Sequence, residues 1–285
     1  MVHFGGTIIQ AEGNLKKVIC ITVTLLVLTS TCFAADITTN ILQRVLLIKY
    51  GESLGTCFTI DVDKKQYIVT AKHVVKGIKD NQSISIMNGQ RWQAIPVKTI
   101  KVTPDEVDII VLVADGQLTP SHELEPSIGN MILGQQMYFL GFPYGISMNE
   151  VKILSLNNGY PLPLIKSGLL SAMSVVEKPD LYYILVLDGL NNEGFSGGPI
   201  VYKDIESNKL KVCGVIAGYL PQDDQVYRKI PLKQPDPKTG KKYKVDKKTD
   251  TKLVVETNSG LVVGYSINLA VDAIKKSPNG PAVTQ

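Results

Sequence analysis

From Ile41 onward the apolar residues fall into short runs of five to nine, each closed by Gly, Pro, Asn, Asp or Lys. "RVLLIKY", "TCFTIDV", "QYIVTAK", "SISIM", "QAIPVKTI" and "DIIVLVA" come first. A polar stretch with two prolines, "DGQLTPSHELEPSIGN", interrupts the series. Then follow "QQMYFLGF", "EVKILSL", "GLLSAMSVV", "YYILVLD", "GPIVYK" and "KVCGVIAGY". Runs this short, rich in β-branched and aromatic residues and punctuated by turn formers, predict strands. Strands this numerous with little helix between them predict an all-β protein. Their division into two groups of six predicts two six-stranded antiparallel β-barrels, one over residues 35–118 and one over 132–277, joined by a linker at 119–131. One short helix is expected at the end, "NLAVDAIKKS", with Leu269, Ala270, Ala273 and Ile274 on one face. Residues 278–285 would form a tail.

Composition agrees with a folded domain: the 285 residues are 44% hydrophobic and 20% charged. The net charge of +4 is too small to point to nucleic acid, and none is expected as a partner. The first residues stand apart. Lys16 and Lys17 precede an apolar run, "VICITVTLLVLTSTCFA", which ends in small residues. That order is that of a secretory signal peptide, here residues 1–34, with cleavage after Ala34 and export to a periplasm or the cell exterior. An uncleaved membrane anchor is the alternative, and a lipoprotein cut before Cys32 fits less well, since Thr29 stands where leucine is wanted. Cys57 and Cys213 would remain after cleavage, both in apolar runs, and are expected as free buried thiols.

Charge is unevenly placed. Between Arg228 and Lys252 lie ten Lys or Arg and three Asp, a local +7 that leaves the rest of the mature chain near −4. With Pro231, Pro235, Pro237 and Gly240 in the same segment, an exposed loop or hairpin is expected. It is read first as a solvated insertion, and second as a surface for an anionic partner.

The sharpest chemistry is "NEGFSGGPIV", residues 192–201, where Ser196 sits among glycines. Glycine costs conformational entropy on folding, so a turn that spends it repeatedly around one hydroxyl calls for a reason. The pattern fits the G-x-S-x-G elbow of α/β-hydrolases, but that arrangement places its histidine after the serine. The chain has only His3, His73 and His122, all before Ser196. The order His, Asp, Ser remains. His73 lies at the end of a strand-like run, "YIVTAKHVV"; His122 lies in the polar linker, and His3 leaves with the signal. For the acid, Asp105, Glu106 and Asp108 are candidates, and Asp108 is chosen because it opens an apolar run directly.

"TAKHVV", "DIIVL" and "GFSGGP" resemble the three signature stretches of the trypsin-like serine peptidases. "LGFPYG", "SGLLSAMS" and "GYSINLAVDAI" are similar to stretches of the HtrA (Deg) branch, and the resemblance spans about residues 41–276. It implies a chymotrypsin-like fold and an exported serine endopeptidase acting on proteins or peptides, with catalytic His73, Asp108 and Ser196 and an oxyanion hole at the amides of Gly194 and Ser196. It also implies a substrate pocket framed by Gly189, Leu190 and Asn191 on one side and Ile216, Ala217 and Gly218 on the other, with no carboxylate at its base. Small or medium apolar side chains are therefore expected before the cleaved bond, and not Arg or Lys. No metal or cofactor is called for. Phe195 stands where pancreatic-type enzymes carry an aspartate, and "ADITTN" is not their Ile-Val start, so activation by a new N-terminus is not expected. Lys72 replaces a small or amide residue, and only eight residues follow Ser277, so no PDZ domain is expected. The rival reading is a catalytically silent binding module on the same fold, using the basic 228–252 segment.

Overall fold

The computed structural model describes residues 37–284, apart from 90, 146–159, 178–180, 236–237 and 239–241. The proposed signal peptide and the run "EVKILSL" lie outside the described residues.

The first barrel is built from β1 (Val45–Tyr50), β2 (Ser53–Val62), β3 (Lys65–Thr70), β4 (Gln82–Asn88), β5 (Arg91–Ile100) and β6 (Ile110–Ala114). It closes in the order β1-β2-β3-β6-β5-β4, every pair antiparallel. The second sheet contains β7 (Glu125–Pro126), β8 (Gln136–Gly141), β9 (Leu164–Val176), β10 (Tyr182–Asp188), β11 (Pro199–Lys203), β12 (Leu210–Pro235) and β13 (Lys242–Ser266). Its order is β11-β8-β9-β10-β13-β12-β7, and an additional β11–β12 pairing turns six of these strands into a ring. The two-residue β7 is added to it in parallel, opposite Lys211 and Val212. Two six-stranded antiparallel rings were expected, and this is that architecture with one short strand appended.

β1 explains why so many runs are apolar throughout instead of alternating. Successive residues of a strand point to opposite faces. Leu46 and Ile48 join a cluster with Cys57, Ile68, Ile84 and Leu112, all from the first barrel, and so fill its interior. Val45 and Leu47 join another cluster that also takes Leu140, Val201 and Val215 from the second sheet, Phe142 just after β8, and Leu269 and Ile274 from the C-terminal helix. One face fills a barrel and the other glues the two barrels together. A third cluster, with Phe139, Leu185, Phe195 and Cys213, fills the second ring. Each fully buried Val, Leu or Ile of this kind contributes roughly 1.5–3 kcal/mol.

The linker is fixed by a buried ion pair. Arg44, 1% exposed in its side chain, grips both carboxylate oxygens of Asp61 at 2.6 and 3.1 Å and also donates to the His122 carbonyl. Asp61 further accepts from Ser121 Oγ at 2.6 Å. The His122 ring bonds the amide of Gln43 (Nε2 to Oε1, 2.6 Å), so this histidine serves the linker.

The C-terminal helix, α2 (Asn268–Lys276, after a single turn α1 at Thr39–Leu42), buries Leu269, Ala270, Ala273 and Ile274. Lys275 and Lys276 lie in its last turn, where the helix dipole favours cations. The tail after it lies along the start of β3: Gln66 N donates to Pro281 O and Val283 N to Lys64 O. Much of the basic segment is strand, the far end of a β12–β13 ladder whose register runs to Pro235 opposite Lys242. Cys57 and Cys213 are buried free thiols, Cys213 Sγ donating to Ile200 O at 3.5 Å, and burial pushes both well up from their ordinary pKa. Among the described residues no helix is long and apolar enough to cross a membrane.

Candidate active site

β3 ends at Thr70, and a 3-10 turn at Lys72–Val75 follows, with Val74 and Val75 buried as its anchors. That turn lifts His73 off the barrel end with its side chain half exposed. Asp108 lies just before β6, the strand that pairs with β3, so strand pairing brings the two together. The carboxylate holds the histidine twice. His73 N donates to Oδ1 at 3.0 Å, and Nδ1 meets Oδ2 at 2.5 Å. The Asp108 side chain is 24% exposed, so water is largely displaced from this contact. Asp105, the neighbouring candidate, is instead on the surface with Lys101 and Lys72.

Ser196 lies in the turn between β10 and β11. The turn is pressed against the first barrel: Thr56 N donates to Ser196 O at 2.9 Å, and Thr56 Oγ1 donates to Gly194 O at 2.6 Å. Two glycines are required. Gly197 has φ +84°, and a Cβ there would lie 2.2 Å from both Thr56 O and Thr70 Oγ1 and 2.8 Å from Ala71 N. It therefore seats the serine turn on the segment that leads into His73. Gly194 has φ +98°, and its Cβ would strike Phe142 O at 2.2 Å.

The amides of this turn divide cleanly. Phe195 N donates to Asn192 O, Gly197 N to Ile216 O and Gly198 N to Phe195 O. Among the described residues the N–H groups of Gly194 and Ser196 donate to nothing. Paired backbone donors are the rule in folded chains, so two alternate unpaired ones beside one hydroxyl form a ready acceptor site. The Ser196 hydroxyl itself donates to Ala217 O at 3.3 Å, and no hydrogen bond joins it to His73 among the described residues.

Beside Ser196 opens a pocket of about 330 Å³. Of the six residues expected to frame it, Asn191, Ala217 and Gly218 line it. Asn191 is buried and locks the two walls, donating to Gly218 O at 2.9 Å and accepting from Asn258 Nδ2 at 2.5 Å. Gly189, Leu190 and Ile216 do not line it. Gly189 backs onto Phe139 and Gly168, Leu190 turns out to solvent at 54% exposure, and Ile216 is buried in the ring's core. Glu193 and Glu256 are also among the lining residues, two acidic residues not expected there from the sequence. Glu256 reaches it because β13 pairs it with Asp223, a register that its local sequence does not mark. A second cavity of about 540 Å³ is lined by His73 and Asp108 together with Lys72, Lys76 and Lys101.

Lys166 was not singled out from the sequence. On β9 it shares the inward face with Leu164, Gly168 and Leu170, while Ile165 and Leu169 are exposed. Its ammonium donates to Leu190 O and Asn192 Oδ1, each at 2.7 Å, and sits 5.2 Å from the centre of the Phe195 ring. Burial lowers its pKa from the ordinary lysine value.

A family model described as a trypsin-like peptidase domain matches residues 55–209. No curated protein matches the chain. Among solved structures, the HtrA-type protease AlgW with a tripeptide aligns at 18% identity with a TM-score of 0.52, over 85% of this chain and 62% of that one. The active form of Rv3671c protease from M. tuberculosis aligns at 14% identity and TM-score 0.48, over 86% and 85%. The MamO protease domain from Magnetospirillum magneticum aligns at 15% and 0.43, over 82% and 96%. The likeness to AlgW is one of fold.

Proposed function

The chain belongs to the trypsin-like peptidases, and we propose that it is an exported serine endopeptidase that cleaves protein or peptide substrates through Ser196, His73 and Asp108. The observation that carries this reading is the pair of unpaired amides, Gly194 and Ser196, flanking the hydroxyl in a turn whose neighbouring amides are used.

In this mechanism a substrate carbonyl enters with its oxygen at those two amides. The Ser196 hydroxyl leaves Ala217 O, a neutral hydrogen bond worth about 1 kcal/mol, and turns toward His73. Oγ attacks the carbonyl carbon while His73 Nε2 takes its proton. Asp108, holding the ring through Nδ1 and the backbone through N, keeps Nε2 free to accept and stabilises the imidazolium. The carbonyl electrons move to oxygen, where the amides meet the developing charge; losing one such donor typically costs about 10²–10³ in turnover. His73 then protonates the leaving amine, the C–N bond breaks, and an acyl-enzyme remains. Water, deprotonated by the same imidazole, releases the acid and restores the serine.

Export rests on the charged, apolar and small-residue order of residues 16–34. N-terminal sequencing of the protein from its native host should begin at Ala35; a start at Met1 would mean an uncleaved anchor instead.

A second reading has its own support. The hydroxyl bonds Ala217 and not His73, and a basic hairpin extends from the second ring. A silent binding module using residues 228–252 would have both features. A fluorophosphonate probe separates the two: it should label the wild type and leave Ser196→Ala unlabelled, whereas failure to label either overturns the peptidase reading.

A further inference from the structure

We propose that Lys166 is a positioning residue that holds the segment 190–195 in the form in which the Gly194 and Ser196 amides stay open. This rests on the peptidase reading above.

The segment between β10 and β11 is tied at Asn191 to Gly218 and Asn258, at Glu193 O to Tyr144 N (2.7 Å) and at Gly194 O to Thr56 Oγ1 (2.6 Å), whereas Leu190 O and the Asn192 side chain rest on the lysine. Leu190 is turned to solvent, and the Asn192 side chain has, besides its bond to lysine, a long 3.4 Å contact from its Nδ2 to Tyr144 Oη. Lys166 enters from below, on a strand whose pairing with β8 and β10 fixes its height. A lysine ammonium has three N–H donors. Two go to Leu190 O and the Asn192 side chain. The remaining side of the cation faces the Phe195 ring, whose π-face attracts positive charge. Phe195 is fully buried and packs edge-on against Phe139, with centroids 5.4 Å apart, and Phe139 is the cross-strand partner of Lys166. One cation thus pins three points of the segment, at 190, 192 and 195. Gly194, the residue whose amide must stay open, lies between the last two. Burying part of an ammonium costs energy unless its donors are satisfied, and these partners satisfy them.

Without the cation, the Asn192 amide and the Leu190 carbonyl lose their common anchor, and the peptide that carries the Gly194 N–H is held through Glu193 O by Tyr144 N alone. The reaction then fails at the oxyanion and not at substrate entry. The expected signature is a fall in the rate of covalent reaction at unchanged affinity.

The test measures phosphonylation of Ser196 by a small fluorophosphonate, separating the maximal rate of inactivation from the concentration that gives half of it. Lys166→Met should lower the maximal rate about 10²-fold, the scale of one lost oxyanion donor, while the half-maximal concentration shifts less than about threefold. Lys166→Cys should behave like Lys166→Met. Treating the folded Cys variant with 2-bromoethylamine rebuilds a lysine-like side chain, and the rate should return to within about fivefold of wild type treated in parallel. Cys57 and Cys213 are buried, so they do not compete for the reagent. A Lys166→Met enzyme that reacts as fast as a reactive wild type overturns the proposal, as does a Cys variant that gains nothing from aminoethylation. A wild type that does not react at all overturns the peptidase reading itself, which is a different outcome.

Discussion

Asp108→Asn isolates the role of one oxygen. The wild-type carboxylate accepts two hydrogen bonds from a single residue, Oδ1 from the His73 backbone at 3.0 Å and Oδ2 from Nδ1 at 2.5 Å. Asparagine has one acceptor and one donor group for the same two places. If its oxygen keeps the backbone N–H, its NH₂ faces Nδ1 and must donate to it, which forces the imidazole proton onto Nε2. If it flips, the NH₂ meets the backbone N–H donor to donor, and an unsatisfied group of that kind costs roughly 1–3 kcal/mol. The first orientation wins, and an Nε2 that already carries a proton cannot take one from Ser196. In triad enzymes this swap lowers kcat by ~10⁴, which is about 5 kcal/mol of lost transition-state stabilisation. The fold should hardly notice, because the backbone bond to His73 survives. The assay is the fluorophosphonate labelling rate near neutral pH, run beside a thermal melt of the same sample. A variant that labels within tenfold of wild type, with its melt unchanged, would show that Asp108 does not set the tautomer of His73, and the mechanism would lose its second member.

The Arg44–Asp61 pair should matter for stability and leave the chemistry alone. Arg44→Met removes the partner of a largely buried carboxylate, which typically costs about 3–5 kcal/mol; urea unfolding measures it. Burial raises the Asp61 pKa, but the hydrogen bonds and charge of Arg44, with Ser121 and Gln66, outweigh it and hold the carboxyl below its ordinary value. The pair's stabilisation is therefore fully present above the unfolded aspartate value, about 3.9, and is lost as pH falls through the lower folded value. Melting temperatures followed into acid should drop less steeply below about pH 4 in Arg44→Met than in wild type, and parallel curves would refute the assignment. Glu193 and Glu256 on the pocket lining predict, against the apolar selection expected from the sequence, a preference for a basic side chain near the cleaved bond. Glu256→Gln should reduce the preference for Lys or Arg over leucine in a peptide-library profile about two- to fivefold, the scale of an exposed ion pair, and added salt should shrink the difference. A wild-type profile with no basic preference would sink that reading.

What could be read in the sequence was whatever local chemistry marks. His73, Asp108 and Ser196 each sit in a motif with its own composition, and their order along the chain chose between two nucleophile patterns. The strands of the first barrel were legible because both faces of β1 to β3 are buried, one inside the barrel and one between the barrels, so each appears as a continuous apolar run. The helix at Asn268–Lys276 was legible because its buried residues recur at helical spacing. β13 was not, since a ladder satisfies its backbone whatever its side chains do, and a strand rich in Lys, Asp and Thr looks like a loop. The composition changes at Arg228, and the pairing continues through it.

The pocket acids and Lys166 were illegible for a stricter reason. In "LIKSGLL", Leu164 and Leu170 argue for one phase of β9, and Ile165 and Leu169 for the other. Hydrophobicity leaves the two nearly balanced, and the pairing Phe139↔Lys166 decides between them. Because side chains alternate with a period of two, a slip of one residue would replace the ammonium under Phe195 with Ile165 or Ser167 and bring Leu169 inward. Glu256 depends in the same way on lying opposite Asp223. The residues proposed to make and break bonds are therefore chosen by sequence at their own positions, whereas those proposed to orient the turn and select the substrate are chosen by register, which belongs to pairs of strands and to neither strand alone. A change in strand register, without any change to the triad, should then be enough to alter both the rate and the preference of the enzyme.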